Sequence, residues 1–194
     1  MSWQDANQML VKEHVGWFKA ASNYDVFDLH GGEKLLECRE PALGMFTKAL
    51  RYTDYRRMTP FDVHVTDTDG SIVVRIKRGI SLLTSKVQVF DGEGTLLGGF
   101  NQKLFSIGGS FRVLDENGNE VCQLQGKWTG WDFQFKTQGV QLARVTKKWT
   151  GIGKEMFTSA DNYVLEISEA IPPESPTRRL ILAAVMCIDK VLKE

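Results

Sequence analysis

Tryptophan and lysine occur together in a tetrapeptide, Lys-Trp-Thr-Gly, that the sequence contains twice, at residues 127–130 and 148–151. Indole rings and ammonium groups both find partners at a membrane–water interface. The cationic and indole side chains in and beside the two copies are therefore candidates for membrane contact: Lys127, Trp128, Trp131, Lys147, Lys148 and Trp149. The alternative is that the indoles close the interior of the fold while the lysines are solvated.

Residues 41–57 form a second candidate contact segment. Leu43, Phe46 and Leu50 fall at helical spacing. Cationic side chains lie among them: Lys48, Arg51, Arg56 and Arg57. Such a segment is typical of an amphipathic helix on a membrane or a partner protein. The alternative is a connection that packs its apolar face against the rest of the domain.

No familiar catalytic or metal-binding motif occurs in the chain. The patterns G-x-x-x-x-G-K-[ST], H-E-x-x-H, G-x-S-x-G and C-x-x-C are all missing. The three histidines, His14, His30 and His64, form no recognisable ligand cluster. No nucleophile and base can be paired from spacing alone. We therefore predict that the protein is not an enzyme.

Composition indicates one folded domain covering residues 1–194. Hydrophobic residues make up 42% of the chain, and 24 basic residues balance 24 acidic ones. Because the formal net charge is zero, no global field favours nucleic acid, and binding to an anionic membrane would need a local patch. The three cysteines are widely spaced and odd in number, as expected for reduced thiols. With no secretory signal pattern at the start, we predict a cytoplasmic protein.

A repeated turn pattern predicts that most of the chain forms β-hairpins. The tetrad D-x-x-G begins at Asp28, Asp67, Asp91 and Asp115, each time between segments that alternate with period two. Aspartate at the first position of a type I turn and glycine at the fourth suit a hairpin. A fifth copy, at residues 136–139, keeps only the glycine. Five hairpins give ten strands, and segments near residues 9–15 and 163–168 bring the total to about twelve.

A C-terminal helix is predicted at about residues 176–192. Ser175 is a candidate N-cap and Pro176 suits the first helical position. Residues 180–188 carry no polar side chain, which indicates burial on every side, and the run is far shorter than the roughly twenty residues of a membrane span. Strands of about eight residues and a helix of about 17 are both roughly 25 Å long. We therefore predict a mainly β fold, a closed antiparallel barrel of about twelve strands that encloses the helix.

The C-terminal third resembles the phospholipid scramblase family. Members carry K-x-W-T-G, then E-x-F-T-x-A-D-N-[FY], then an apolar helix ending near an I-D pair. Here these motifs stand in order at residues 147–151, 155–163 and 188–189, and the resemblance covers roughly residues 9–192. It implies the twelve-stranded barrel around a helix that the related LURP-one and tubby C-terminal families share. Without the cysteine-rich and proline-rich segments of the eukaryotic proteins, the chain resembles a minimal, bacterial-type member.

The resemblance also implies a calcium segment at about residues 159–170, because eukaryotic scramblases are associated with calcium-dependent movement of phospholipid. Its possible oxygen donors in this chain are Asp161, Asn162, Glu166 and Glu169. The acidic residues usual at the two ends are replaced by Ser159 and Ala170. Strand alternation would place Asn162, Val164 and Glu166 on the side opposite Tyr163 and Leu165.

The sequence therefore predicts a scramblase-related protein that binds membrane phospholipid peripherally, at the inner face of a membrane. Scrambling of lipids between leaflets is implied by the resemblance only. Charged residues on the predicted strand exteriors would be costly facing lipid: Asp62, His64, Arg75, Lys77, Lys86 and Arg112. The alternative is a soluble barrel that binds a protein partner or a small hydrophobic ligand without moving lipid.

Overall fold

A computed structural model describes residues 2–13, 23–41, 60–79, 84–103, 110–127, 131–147 and 162–192. Within these ranges the chain forms twelve strands and one helix. The elements in chain order are β1 (Gln8–Glu13), β2 (Tyr24–Asp28), β3 (Lys34–Arg39), β4 (Phe61–Asp67), β5 (Ile72–Arg78), β6 (Thr84–Phe90), β7 (Leu96–Lys103), β8 (Phe111–Asp115), β9 (Glu120–Lys127), β10 (Asp132–Thr137), β11 (Val140–Thr146), β12 (Asn162–Ile167) and α1 (Pro176–Leu192).

The strands pair in chain order and close into an antiparallel barrel. Closure is made by β1, in which Val11 pairs with Val26 of β2 on one side and with Tyr163 of β12 on the other. Every strand consequently has two neighbours, so the sheet has no open edge of the kind that promotes aggregation. The predicted fold class, strand number and enclosed helix are all confirmed.

The aspartate-led turns use the predicted chemistry. In the turn between β6 and β7, Asp91 Oδ1 accepts hydrogen bonds from the N–H groups of Glu93 (3.0 Å) and Thr95 (2.7 Å). Asp115 binds the corresponding N–H groups of the turn between β8 and β9. Gly94 has a φ of 89°, a left-handed conformation that glycine adopts without steric cost.

Two turns depart from the tetrad. After β2 the loop is one residue longer than D-x-x-G predicts, and Gly32 rather than Gly31 has a positive φ, at 65°. Between β10 and β11 the two loop residues Gln138 and Gly139 have φ values of 47° and 82°. Two consecutive positive φ values are typical of the tight turn whose twist matches a hairpin, so this loop needs no aspartate.

The helix α1 forms the centre of the hydrophobic core. All residues from 180 to 188 are at most 1% exposed, and they pack with inward-facing strand residues such as Val63, Phe100 and Leu165. Ser175 caps the helix as predicted, with its Oγ accepting a hydrogen bond from the N–H of Thr177 (3.3 Å). The described part of the chain contains no helix that is both long and apolar enough to cross a membrane.

Arg178 is buried, although it lies in the first turn of α1, before the apolar run. The side chain is 1% exposed and contacts the N-terminal segment. Its Nη2 donates to the carbonyl of Ala6 and to Asn7 Oδ1 (2.9 Å). Burial lowers the pKa of this guanidinium. Arg178 thereby ties residues 2–7 to the start of the helix.

Substituting Ala184 with Arg is expected to abolish cooperative folding. Ala184 is fully buried, and an unpaired charge cannot be accommodated inside an apolar core without a penalty of several kcal/mol. Loss of the thermal unfolding transition in circular dichroism checks this. Val140→Arg is the matched control, because Val140 is 58% exposed and the change there should alter stability by about 0.5 kcal/mol or less. A normal melting curve for Ala184→Arg would contradict the buried position of the helix.

The three thiols are expected to be unreactive in the folded protein. Cys38, Cys122 and Cys187 are at most 1% exposed, and burial raises the pKa of the Cys122 thiol to about 12. Since the thiolate is the reactive form, a thiol reagent at neutral pH should modify none of them until denaturant is added, and then all three. Rapid modification without denaturant would contradict the core described above.

Candidate functional site: the mouth end of the barrel

The two ends of the barrel differ. At the turn end lie the five hairpin turns, the N-terminal segment, the connection from β12 to α1 and the start of the helix. At the opposite end, which we call the mouth end, the odd-numbered strands and the helix finish and the even-numbered strands begin. Three of the predicted Lys–Trp contact residues are described at the mouth end: Lys127 is the last residue of β9, Trp131 precedes β10 and Lys147 follows β11.

Trp131 packs across the interior at the mouth end. Its indole stacks on the ring of Tyr163, with centroids 6.1 Å apart and planes at 21°, and meets Phe133 edge-on at 5.9 Å. The residue has a φ of 45°, which non-glycine residues rarely adopt, and the N–H of Lys147 donates to its carbonyl (3.1 Å). The indole is therefore held in place by the fold.

Lys147 lies over the face of this indole. Its Nζ is 4.0 Å from the centroid of the Trp131 ring, within the range of a cation–π interaction. The side chain is partly exposed, whereas Tyr163 beneath the indole is 1% exposed. The mouth end thus presents an ammonium group supported by an aromatic stack. For Trp131, the geometry agrees with the alternative that the indole closes the interior of the fold.

Other predicted contact residues are less completely placed. Lys127 pairs through its backbone with Asp132, which fixes its position at the mouth end, but its side chain lies outside the described part of the structure. The remaining predicted contact residues also lie outside the described residues: Lys48, Arg51, Arg56, Arg57, Trp128, Lys148 and Trp149.

The described members of the calcium segment are not brought together. Asn162 and Glu166 both lie on the outer side of β12, as alternation predicted, but four residues of strand separate them by about 13 Å. Glu166 accepts a hydrogen bond from Gln8 Nε2 (3.1 Å), and Glu169 lies in the exposed turn after the strand. Asp161 is outside the described residues. Calcium binds oxygens at about 2.3–2.6 Å, so Asn162 and Glu166 do not fit one ion site.

Among the described residues, no group of three or more His, Cys, Asp or Glu side chains is arranged to hold a metal ion. The structure does show a polar groove of about 550 Å³ at the turn end that sequence reasoning missed. Across it, Gln8 links His30 (2.6 Å) to Glu166. These residues come from β1, a hairpin turn and β12, so only the closure of the barrel brings them together and no local pattern could have revealed them.

Charged residues line the outer wall of the barrel, as predicted. Arg75 makes two hydrogen bonds with Asp62, at 2.8 and 2.6 Å, and these hold the pKa of Asp62 below its ordinary value. Arg144 makes the same paired contact with Asp132. Lys86 and Arg112 are exposed on neighbouring parts of the wall. The partners within each pair could be found from sequence only by fixing the register across the hairpin turn.

Comparisons with known proteins agree with this architecture. A solved X-ray structure of an Arabidopsis thaliana protein superposes with a TM-score of 0.53 and 16% identity, covering 96% of this chain and 93% of that one. The two chains therefore share the fold.

A sequence relative is the yeast (Saccharomyces cerevisiae) protein called altered inheritance rate of mitochondria protein 25. It is 26% identical over 173 residues, which cover 76% of this chain and 52% of the relative. The chain thus spans about half the length of that protein. The family model described as Scramblase matches residues 6–193. Since this match includes nearly the whole chain, the protein belongs to the Scramblase family.

Proposed function

We propose that this Scramblase-family protein binds a phospholipid surface peripherally through the mouth end of its barrel, at the cytoplasmic face of a membrane. The observation that carries the proposal is the position of Lys147 over Trp131 at that end. A partly exposed ammonium group on an aromatic support suits the boundary between headgroups and acyl chains, where both groups find partners. Family membership supports a function related to membrane lipid.

The outer wall supports contact at an end of the barrel. Arg75 and Asp62 project from the wall as a charged pair, as do Arg144 and Asp132. Arg112 adds a further charged contact on the wall, with its Nε 4.0 Å from Glu120 Oε2. Water solvates such side chains, whereas hydrocarbon does not. Contact through the mouth end leaves the charged wall in water. Peripheral binding is therefore the activity that we propose. Scrambling is a further activity that the family resemblance implies.

The alternative function is binding of a protein partner or a small hydrophobic ligand. The helix weighs against the hydrophobic ligand, because fully buried residues such as Leu182 and Val185 already fill the centre of the barrel. A ligand of that kind would have to displace α1. The flotation experiment below distinguishes binding of a protein partner at the mouth end from binding of lipid there.

Lys147→Glu is expected to reduce the fraction of protein that floats with phospholipid vesicles. Reversing the charge replaces attraction to lipid phosphate by repulsion at the proposed contact. Lys136→Glu is the matched control, because Lys136 lies near the turn between β10 and β11, at the other end of the same hairpin. Flotation with and without calcium and anionic lipid checks the prediction. If the unchanged protein floats under none of these conditions, lipid binding is wrong and a partner protein is favoured.

Trp128→Ala combined with Trp149→Ala is expected to weaken flotation while leaving the melting temperature unchanged, provided that both indoles contact lipid. A lower melting temperature would instead indicate that they pack into the interior as Trp131 does.

Reconstituting the protein into vesicles that contain a fluorescent lipid distinguishes lipid binding from scrambling. Loss of leaflet asymmetry there would show scrambling, and vesicle binding with retained asymmetry would show binding alone.

A further inference from the structure

Every charged residue in the loops of the turn end is acidic. The loops are the five hairpin turns, residues 2–7 and residues 168–175, all of which the structure describes. They contain no lysine or arginine and eight carboxylates: Asp5, Glu33, Asp69, Asp91, Glu93, Glu116, Glu169 and Glu174. The adjoining strand ends add five carboxylates against Lys34 and Lys136, and the helix start adds Arg178 and Arg179. The five are Asp28, Asp67, Asp115, Glu120 and Glu166. This end is strongly negative.

The mouth end has the opposite balance. Among the described residues, the three at the mouth end of each strand and the one directly beyond it include ten basic residues and six acidic ones. The basic residues are Lys12, Arg39, Lys77, Arg78, Lys86, Lys103, Arg112, Lys127, Arg144 and Lys147, and the acidic ones are Glu13, Asp25, Glu37, Glu40, Asp62 and Asp132.

Whether the opposite charges of the two ends cancel depends on the distance between the ends. A strand of about seven residues spans roughly 23 Å. At physiological ionic strength the Debye length is about 8 Å. A charged surface that touches the mouth end is therefore attracted by the basic residues there, while the carboxylates of the turn end are almost fully screened. A net charge of zero does not remove this local attraction.

We infer that the separation of charge along the barrel axis docks the protein mouth-first on an anionic phospholipid surface, with the acidic turn end directed away from it. The inference rests on the proposed lipid binding and adds the lipid class and the orientation. An anionic headgroup layer gains from the basic mouth end in this pose. In the opposite pose the eight loop carboxylates would face the lipid phosphates, so the reverse orientation is unfavourable.

Binding to vesicles tests the lipid class. We expect tight binding to phosphatidylcholine vesicles that contain phosphatidylserine, weaker binding to phosphatidylcholine alone, and loss of the difference at high salt. Lys12→Gln with Lys86→Gln should weaken binding to the anionic vesicles by roughly thirtyfold, since each cation near such a surface is worth about fivefold in affinity. Lys86 is exposed and Lys12 is partly exposed, so the folded structure should tolerate the change.

The matched control is Glu93→Gln with Glu116→Gln, which removes two exposed charges from neighbouring hairpins at the turn end. We expect this pair to leave vesicle binding unchanged within a factor of about two, because the turn end lies several Debye lengths from the lipid. An equal loss of binding for the two double variants would overturn the inferred orientation. Unchanged melting temperatures confirm that all four substitutions act on charge.

A label at each end tests the orientation directly. Because the native cysteines are buried, a fluorophore can be attached selectively to Gly79→Cys at the mouth end or Thr95→Cys at the turn end. A side chain at Gly79 meets no atom within 4 Å. We expect a quencher attached to lipid headgroups to quench the Gly79→Cys label strongly and the Thr95→Cys label weakly. The reverse order, or equal quenching, would overturn the pose.

The outcomes separate this inference from the function on which it rests. Equal affinity for neutral and anionic vesicles would refute the charge-driven docking and leave lipid binding standing. Failure to bind any vesicle would refute both. Binding to a soluble polyanion such as heparin without binding to vesicles would identify the mouth end as a site for a polyanionic partner and would likewise overturn the inference.

Discussion

The burial of an entirely apolar helix inside the barrel is the interaction on which the rest of the structure depends. Residues 180–188 of α1 have no polar face, so the helix is stable in water only if it is surrounded. The barrel is equally dependent on the helix, because a ring of twelve strands leaves a lumen that its own inward side chains do not fill. Each element therefore supplies the apolar surface that the other must bury, and neither is expected to persist alone.

The even number of strands determines why the two ends of the barrel differ. With an even number of strands, the chain enters the sheet and leaves it at the same end, so α1 must start at the turn end and finish at the mouth end. The turn end consequently has the short hairpin turns and the cap formed by Trp3, Ala6 and Arg178. The longer connections join strands at the mouth end. The polarity of the molecule thus follows from topology.

Local patterns were sufficient to predict the architecture, because each signal depends on neighbours in sequence. The turn at Asp91 follows from side-chain bonds to the next few N–H groups, and the helix from an uninterrupted apolar run. The position of Arg178 could not be predicted this way. Its acceptors include the carbonyl of Ala6 and the side chain of Asn7, which are about 170 positions earlier and meet it only when the barrel closes.

The sequence shows which residue types the candidate site contains, whereas the contacts between them require the structure. The described members of the Lys-Trp segments lie at the mouth end, since Lys127 ends β9 and Lys147 follows β11. Whether an indole is exposed or packed depends on partners such as Tyr163, from another strand, and sequence spacing does not show that contact. The oxygen donors of the calcium segment illustrate the same limit. Proximity in sequence did not make Asn162 and Glu166 close in space, because an extended strand separates four residues by about 13 Å.

The overall charge balance of the composition did not reveal the separation of charge between the two ends of the barrel. Equal numbers of acidic and basic residues indicated no global field. The fold sorts those residues, because aspartate and glutamate recur in hairpin turns while lysine and arginine recur where the odd-numbered strands end. Aspartate is selected in the turns for its hydrogen bonds to N–H groups, so turn chemistry itself makes one end negative. In a chain of zero net charge, the excess of basic residues must then lie elsewhere, and the barrel topology places much of it at the mouth end.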